Sequence, residues 1–233
     1  MRTLTPLEIP KSEYIGKIYE SKSPQVILEA LKLAREKSDL FNKTGISLND
    51  HEGHLLYSFV KLFHCKKFVE IGTLTGASGL WIAAALADGG SLWSLEKDPQ
   101  HHLAAQEVFQ RAQKNGLTHC EINLIEGDAR QELVKLENKG PFDGVFIDGN
   151  KAAYGDYLDW SEKNLSPGAL LVADNVFLSG AVWNGKTENT PFSEKQIKVM
   201  RSFNERILQD PNWDGFLVPT DEGLLVAKWN PRF

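Results

Sequence analysis

The chain has 233 residues, enough for one sizeable α/β domain, and its 42% hydrophobic and 24% charged content excludes disorder over most of its length. A net charge of −5 and a pI near 5.7 argue against a general affinity for phosphate backbones. The two cysteines, Cys65 and Cys120, match no metal spacing and fit a reducing cytoplasm better than a disulfide scaffold.

Residues 1–45 are polar and helix-prone and are read as a helical N-terminal extension, ahead of one domain at 46–233. The first fourteen residues contain no apolar core, so no signal peptide is expected. No apolar stretch approaches the ~20 residues that span a bilayer, and a cytoplasmic protein is expected. Pro24 opens a helix with apolar residues at helical spacing: Val26, Ile27, Ala30, Leu31 and Ala34. A second helix is predicted over 49–64. Asn49 or Ser47 caps it, and Glu52 stands at capping-box distance from Asn49.

From Lys66 the pattern changes to five short apolar runs, each closing on a carboxylate: Glu70, Glu96, Asp128, Asp148 and Asp174. Helical segments are predicted between them near 76–87, 99–114, 129–138 and 151–164. That alternation implies βαβ units and a parallel sheet. Right-handed crossovers bring every strand's C-terminal end to one edge, where ligands bind in open α/β sheets. The five acids are therefore predicted to line one rim. After a loop at 176–190 come a helix at 191–209 and two strands, WDGFLVP and GLLVAKW, joined by the turn TDEG as an antiparallel pair.

Three motifs carry chemistry. In VEIGTLTGASG, residues 69–79, Gly72, Gly76 and Gly79 follow a strand and open a helix, with Thr73 inside the turn. Such a turn lets backbone N–H groups approach a ligand. The spacing is neither G-x-G-x-x-G nor a P-loop. Glu70 before it suits a ligand with positive charge, such as a sulfonium; the plain alternative is a tight βα turn with an incidental Glu. Glu96 lies about 20 residues beyond the glycine turn, where an acid commonly accepts ribose hydroxyls; otherwise it is a solvated strand-end acid. The pair FIDGNK and VADNV places Asp148 and Asp174-Asn175 at the ends of strands expected to be neighbours. Two carboxylates and an amide make a hard oxygen site for Mg²⁺, Ca²⁺ or Mn²⁺. The competing reading is strand-end acids that cap the next helices. Lys151 follows Asp148 by three residues at a helix start.

The six histidines form no ligand set, and His101-His102 are expected to be solvated at a helix start. No G-x-S-x-G elbow is present, which argues against a serine hydrolase. Trp183, in the 176–190 loop, either packs as part of a lid or walls a substrate pocket.

The stretches SLNDHEGHLL, VEIGTLTGASGL, GDARQEL, FIDGNKAAY, VADN with FLSGAV, and PTDEGLLVAKW occur in an order similar to that of the cation-dependent O-methyltransferases, the family of caffeoyl-CoA and catechol O-methyltransferases. The likeness runs from about residue 46 to 229. It implies a Rossmann-like methyltransferase fold: a seven-stranded, mostly parallel sheet with an antiparallel edge pair and helices on both faces. It implies S-adenosylmethionine held by Leu48, Glu70, Gly72, Ser78, Glu96 and Ala129, with Thr73, Gly76 and Asp148 beside them. It implies a divalent metal, Mg²⁺ first with Ca²⁺ or Mn²⁺ as alternatives, on Asp148, Asp174 and Asn175. Lys151 matches a lysine that assists deprotonation, and Asp148 joins it in the catalytic set. A small hydroxylated acceptor and a homodimer are implied as partners. Two departures stand out. Asn150 replaces an acid near the cofactor's amino-acid end, and Phe-Leu-Ser-Gly follows Asn175 where Trp-Asn-Gly is usual. Three rival readings are a methyltransferase acting on hydroxyuridine in transfer RNA, a nicotinamide-dependent oxidoreductase, and a non-catalytic binding module on the same fold.

Overall fold

The computed structural model describes Tyr14, Ile18 and residues 23–43, 45, 48–186 and 190–232. Most of the first 22 residues, and Ser47 as a possible cap, lie outside the described residues.

Helix α1 (Gln25–Leu40) follows Pro24, and α2 (Asp50–Leu62) is closed by the expected capping box of Asn49 and Glu52. Strand β1 (Lys67–Ile71) leads through the glycine turn into α3 (Ala77–Ala85). Then β2 (Gly90–Glu96), α4 (Pro99–Lys114), β3 (Cys120–Glu126) and α5 (Ala129–Leu136) alternate as predicted. The next pair is β4 (Phe142–Ile147) and α6 (Tyr154–Asn164), the latter preceded by a 3₁₀ turn at Lys151–Ala153. After β5 (Leu165–Ala173) the expected loop contains a 3₁₀ turn and a four-residue helix, α7 (Ala181–Asn184). Helix α8 (Glu194–Gln209) starts later than predicted, because Ser193 and Gln196 form a capping box there. Strands β6 (Trp213–Val218) and β7 (Leu224–Trp229) finish the chain.

The seven strands form one sheet in the order β3-β2-β1-β4-β5-β7-β6. β1 to β5 pair in parallel, and β7 is antiparallel to both its neighbours. The β6–β7 hairpin thus sits at the edge, with β6 outermost. Period-2 alternation splits the strand residues between two cores. Phe68, Leu92, Phe146 and Val172 pack with α1 to α4, whereas Val69, Leu95, Val145 and Leu171 pack with α5, α6 and α8. Ile27, Ala30, Leu31 and Ala34 of α1 are buried in the first of these cores. The chain reverses direction across the sheet between β1 and β4, so their C-terminal ends flank the switch point where α/β sheets bind ligands. Both cysteines are free and buried, and burial pushes their thiols up to about 12 for Cys65 and about 11 for Cys120. Among the described residues no helix is long and apolar enough to cross a membrane.

Candidate active site

A cavity of about 360 Å³ opens at the switch point. The turn after β1 contributes Gly72 and Leu74, the end of β2 contributes Leu95, Glu96 and Lys97, and α4 adds His101. Asp128 and Ala129 approach from the turn into α5, and Asp148, Gly149, Asn150 and Lys151 from the turn after β4.

Gly72 is needed for this closeness. Its φ is +98°, and a Cβ there would lie 2.5 Å from the Asp148 carbonyl oxygen. The two turns meet because Asp148 N–H donates to the Ile71 carbonyl at 2.8 Å and Gly72 N–H to that of Leu95 at 3.0 Å. Glu96 locks the first turn: Oε2 accepts from Leu74 N–H at 2.7 Å, and Oε1 from Asp98 N–H at 2.8 Å. Leu74 has φ +49°, a conformation that a non-glycine residue keeps only when its surroundings hold it. Each Glu96 oxygen retains a further acceptor lone pair.

Of the five carboxylates predicted to share a rim, Glu96, Asp128 and Asp148 line the cavity, whereas Glu70 and Asp174 are buried outside its lining. Glu70 lies inside β1 and is fully buried, away from the cavity lining. It shares strand parity with Phe68 and so faces the helix layer of α1 to α4. There it accepts hydrogen bonds from the Ser78 and Ser94 hydroxyls, and Thr73 Oγ1 lies 2.6 Å from Ser94 Oγ. Glu70, Thr73 and Ser78 therefore form a buried network beneath the glycine turn. Asp128 lines the cavity, but as the N-cap of α5, with its carboxyl pulled down to about 2 mainly by the Arg130 hydrogen bond.

Burial pushes the Glu70 carboxyl up to about 7; the two hydroxyl bonds oppose this, and Asp148 and Glu96 add to it. Its folded-state pKa exceeds its ordinary 4.5, so the folded protein holds the extra proton between those values. Stability from this group is present below pH 4.5 and is lost as pH rises to 7, by up to about 3 kcal/mol. The neutral variant Glu70→Gln should accordingly melt higher relative to wild type at pH 8 than at pH 5. Calorimetry showing the same difference at both pH values would contradict this.

Asp148 and Asp174 follow the paired strands β4 and β5, and Asp174 N–H donates to the Ile147 carbonyl at 3.0 Å. Asp174 is 4% exposed, and its Oδ1 accepts from Asn175 N–H at 2.6 Å. Burial, then the neighbouring Asp148 charge, pushes its carboxyl well above the usual carboxylate range. Asn175 lines the cavity with φ +58°. Lys151 Nζ donates to Asp148 Oδ1 at 2.7 Å and to the Tyr154 hydroxyl at 2.8 Å. Tyr154 is fully buried and donates to the Asp174 carbonyl at 2.8 Å, which aims its oxygen lone pair at Lys151. Among the described residues no three His, Cys, Asp or Glu side chains form a metal-holding group; the candidate set is two carboxylates and an amide.

Of the residues singled out from sequence, Gly72, Glu96, Ala129, Asp148, Lys151 and Asn175 line the cavity, and Asp174 stands behind Asp148. Leu48 is buried in a separate recess with Arg35 and Asp39, and Gly76 packs against Phe109. The expectation that His101 and His102 are solvated does not hold. Their side chains keep 15% and 16% exposure, and His101 Nδ1 lies 3.7 Å from Glu96 in the cavity wall. Spacing alone also passes over Lys43 and Tyr157 in the lining, and Tyr154 behind Lys151. For Tyr154 a signal existed, since it stands at helical i,i+3 distance from Lys151. Trp183 is 62% exposed and sits edge-on to Phe177, outside the cavity lining.

The family model described as O-methyltransferase matches residues 19–229. A catechol O-methyltransferase from Niastella koreensis is 38% identical over 162 residues, 69% of each chain. Among solved structures, an O-methyltransferase from Streptomyces achromogenes involved in tomaymycin synthesis, in complex with SAM, superposes with a TM-score of 0.80. It is 26% identical, and the match covers 96% of this chain and 100% of that one. An O-methyltransferase from Bacillus cereus in complex with SAH has a TM-score of 0.79 at 25% identity, covering 92% and 96%.

Proposed function

The chain belongs to the O-methyltransferase family, and from that premise we propose that it moves a methyl group from S-adenosylmethionine to a hydroxyl of a small catechol- or phenylpropanoid-like acceptor, with a divalent metal assisting. Family membership sets aside the nicotinamide-dependent reading. The observation that carries the proposal is the single cavity on which the glycine turn, Glu96, Asp148, Lys151 and Asn175 converge. The catechol O-methyltransferase relative supports the acceptor class. The net charge of −5 gives transfer RNA no support.

The residues fit both groups. S-adenosylmethionine supplies an electrophilic methyl on a sulfonium, and a divalent cation supplies compact positive charge that favours an ionised acceptor oxygen. Gly72 and its neighbours admit the cofactor close to the backbone, and Glu96 offers free lone pairs to ribose hydroxyls. The pair Asp148 and Asp174, with the Asn175 amide, would hold the cation. Two adjacent carboxylates, one of them buried, repel each other, and Lys151 beside Asp148 offsets only part of this, since the Asp174 carboxyl stays well above its ordinary range. The Lys151 amine, steered by Asp148 and the Tyr154 hydroxyl, takes the acceptor proton at Nζ or steadies the resulting anion. Most of the rate gain comes from alignment and fixed charge.

Incubating the protein with methyl-labelled cofactor, Mg²⁺ and a panel of catechols, phenylpropanoid thioesters and transfer RNA tests the reading. Label in a catechol or phenylpropanoid product supports it, and label in transfer RNA alone overturns the acceptor class. Glu96→Ala should weaken S-adenosylhomocysteine binding by about 1–3 kcal/mol, through lost ribose bonds to a charged group and a loosened Leu74 turn. Unchanged affinity by calorimetry would remove Glu96 from the cofactor site.

A further inference from the structure

The segment after Asp174 runs against its own backbone preference. Asn175, Leu178 and Ser179 have φ of +58°, +47° and +50°, the left-handed region that side chains disfavour. Something outside the segment must hold it there. The turn between β6 and β7 does so. Val176 N–H donates to the Gly223 carbonyl at 3.1 Å and Phe177 N–H to the Glu222 carbonyl at 3.0 Å. The Glu222 carboxylate accepts from both Ser179 N–H and Ser179 Oγ, each at 2.9 Å. Gly223 fits flush on Phe177, where an added Cβ would lie 2.5 Å from the ring. From the opposite side Asn204 Nδ2 donates to the Val176 carbonyl at 3.0 Å.

We infer that Glu222 is a positioning residue of the active site: its carboxylate pins Ser179 and so holds the 175–180 segment with Asn175 at the cavity mouth. The inference rests on the assignment of Asp148, Asp174 and Asn175 to a metal. Two carboxylate oxygens gather two donors of one residue, and charge-assisted bonds of this kind are stronger than neutral ones. The pin reaches Asn175 through the Leu178 N–H, which donates to the Asn175 carbonyl at 3.2 Å. Residues 220–223 read from sequence as a simple hairpin turn; in the structure they brace a neighbouring strand's ligand-bearing end.

The test compares wild type, Glu222→Ala, Glu222→Gln and Ser179→Ala. It measures hydrogen exchange at residues 176–179, Mn²⁺ affinity from the electron-spin signal of free ion, and S-adenosylhomocysteine affinity. Glu222→Ala should exchange faster at 176–179 and bind Mn²⁺ about tenfold more weakly, the scale for removing a group that orients a metal ligand. Its S-adenosylhomocysteine affinity should stay within about twofold, because that subsite lies across the cavity at Glu96. Glu222→Gln and Ser179→Ala each keep part of the contact and should fall between; they also decide the matter if Glu222→Ala does not fold. Wild-type exchange and Mn²⁺ affinity in all three variants overturn the inference while the metal assignment stands. A wild-type protein that binds S-adenosylhomocysteine but no Mn²⁺ overturns the metal assignment and the positioning role with it.

Discussion

Chelation of divalent ions is expected to abolish methyl transfer while S-adenosylhomocysteine still binds. The reason lies in how the site divides. Glu96 and the glycine turn sit on the β1–β2 side of the cavity, whereas Asp148, Asp174 and Asn175 sit at the ends of β4 and β5. Removing the cation leaves the first group intact and leaves the second as two neighbouring carboxylates, one of them 4% exposed. Asp174→Ala should act in the same way and lower the rate by at least about a hundredfold. Its cofactor affinity should change little, because Asp174 stands behind Asp148 and outside the cavity lining. Added Mg²⁺ should raise the melting temperature of wild type and not of Asp174→Ala, since a ligand stabilises only the state that binds it. Full activity in excess chelator would reduce both acids to strand-end structure.

The second large effect is expected at Lys151. Lys151→Met should lower kcat by about 10²–10⁴-fold, the usual scale for losing a general base. Lys151 is only 14% exposed on its side chain and is held by two partners, Asp148 Oδ1 and the Tyr154 hydroxyl. A lysine that merely decorates a helix start would be mobile and solvated. Methionine keeps an unbranched apolar stem as far as Cε and removes the amine, and with it the Nζ contact over the Tyr154 ring. S-adenosylhomocysteine affinity should change little. Raising the pH should partly restore the variant's rate, because a larger share of the acceptor hydroxyl ionises without a base. Near wild-type kcat at neutral pH would leave deprotonation to the cation alone.

The alternation of strands and helices from Lys66 onward was legible because each element carries its own period and its own stop signal. Asn49 with Glu52 is a local device that needs no distant partner. The meeting of Asp148 with Asn175 was legible too, since β4 and β5 follow one another and pair. Boundaries shifted where a cap was overlooked, as at Ser193, or where a turn tightened, as at Lys151–Ala153.

By itself the sequence determined the α/β class, the family, the glycine turn and the strand-end acids, because all of these rest on residues close together in the chain or on the order of motifs. Tertiary structure alone decided which acids face the cavity. Glu70 and Glu96 both close apolar runs in the sequence, yet Glu70 lies within β1 under α3, whereas Glu96 ends β2 and opens on the turn that it pins. It alone brought His101 into the cavity wall, since that depends on how α4 leans over the end of β2. It alone joined Glu222 to Ser179, 43 residues apart, where the end of β5 meets the start of its antiparallel neighbour β7. A side chain's period says which face of its own element it occupies; what lies against that face is set by the crossing of elements distant in the chain, and no local spacing encodes it.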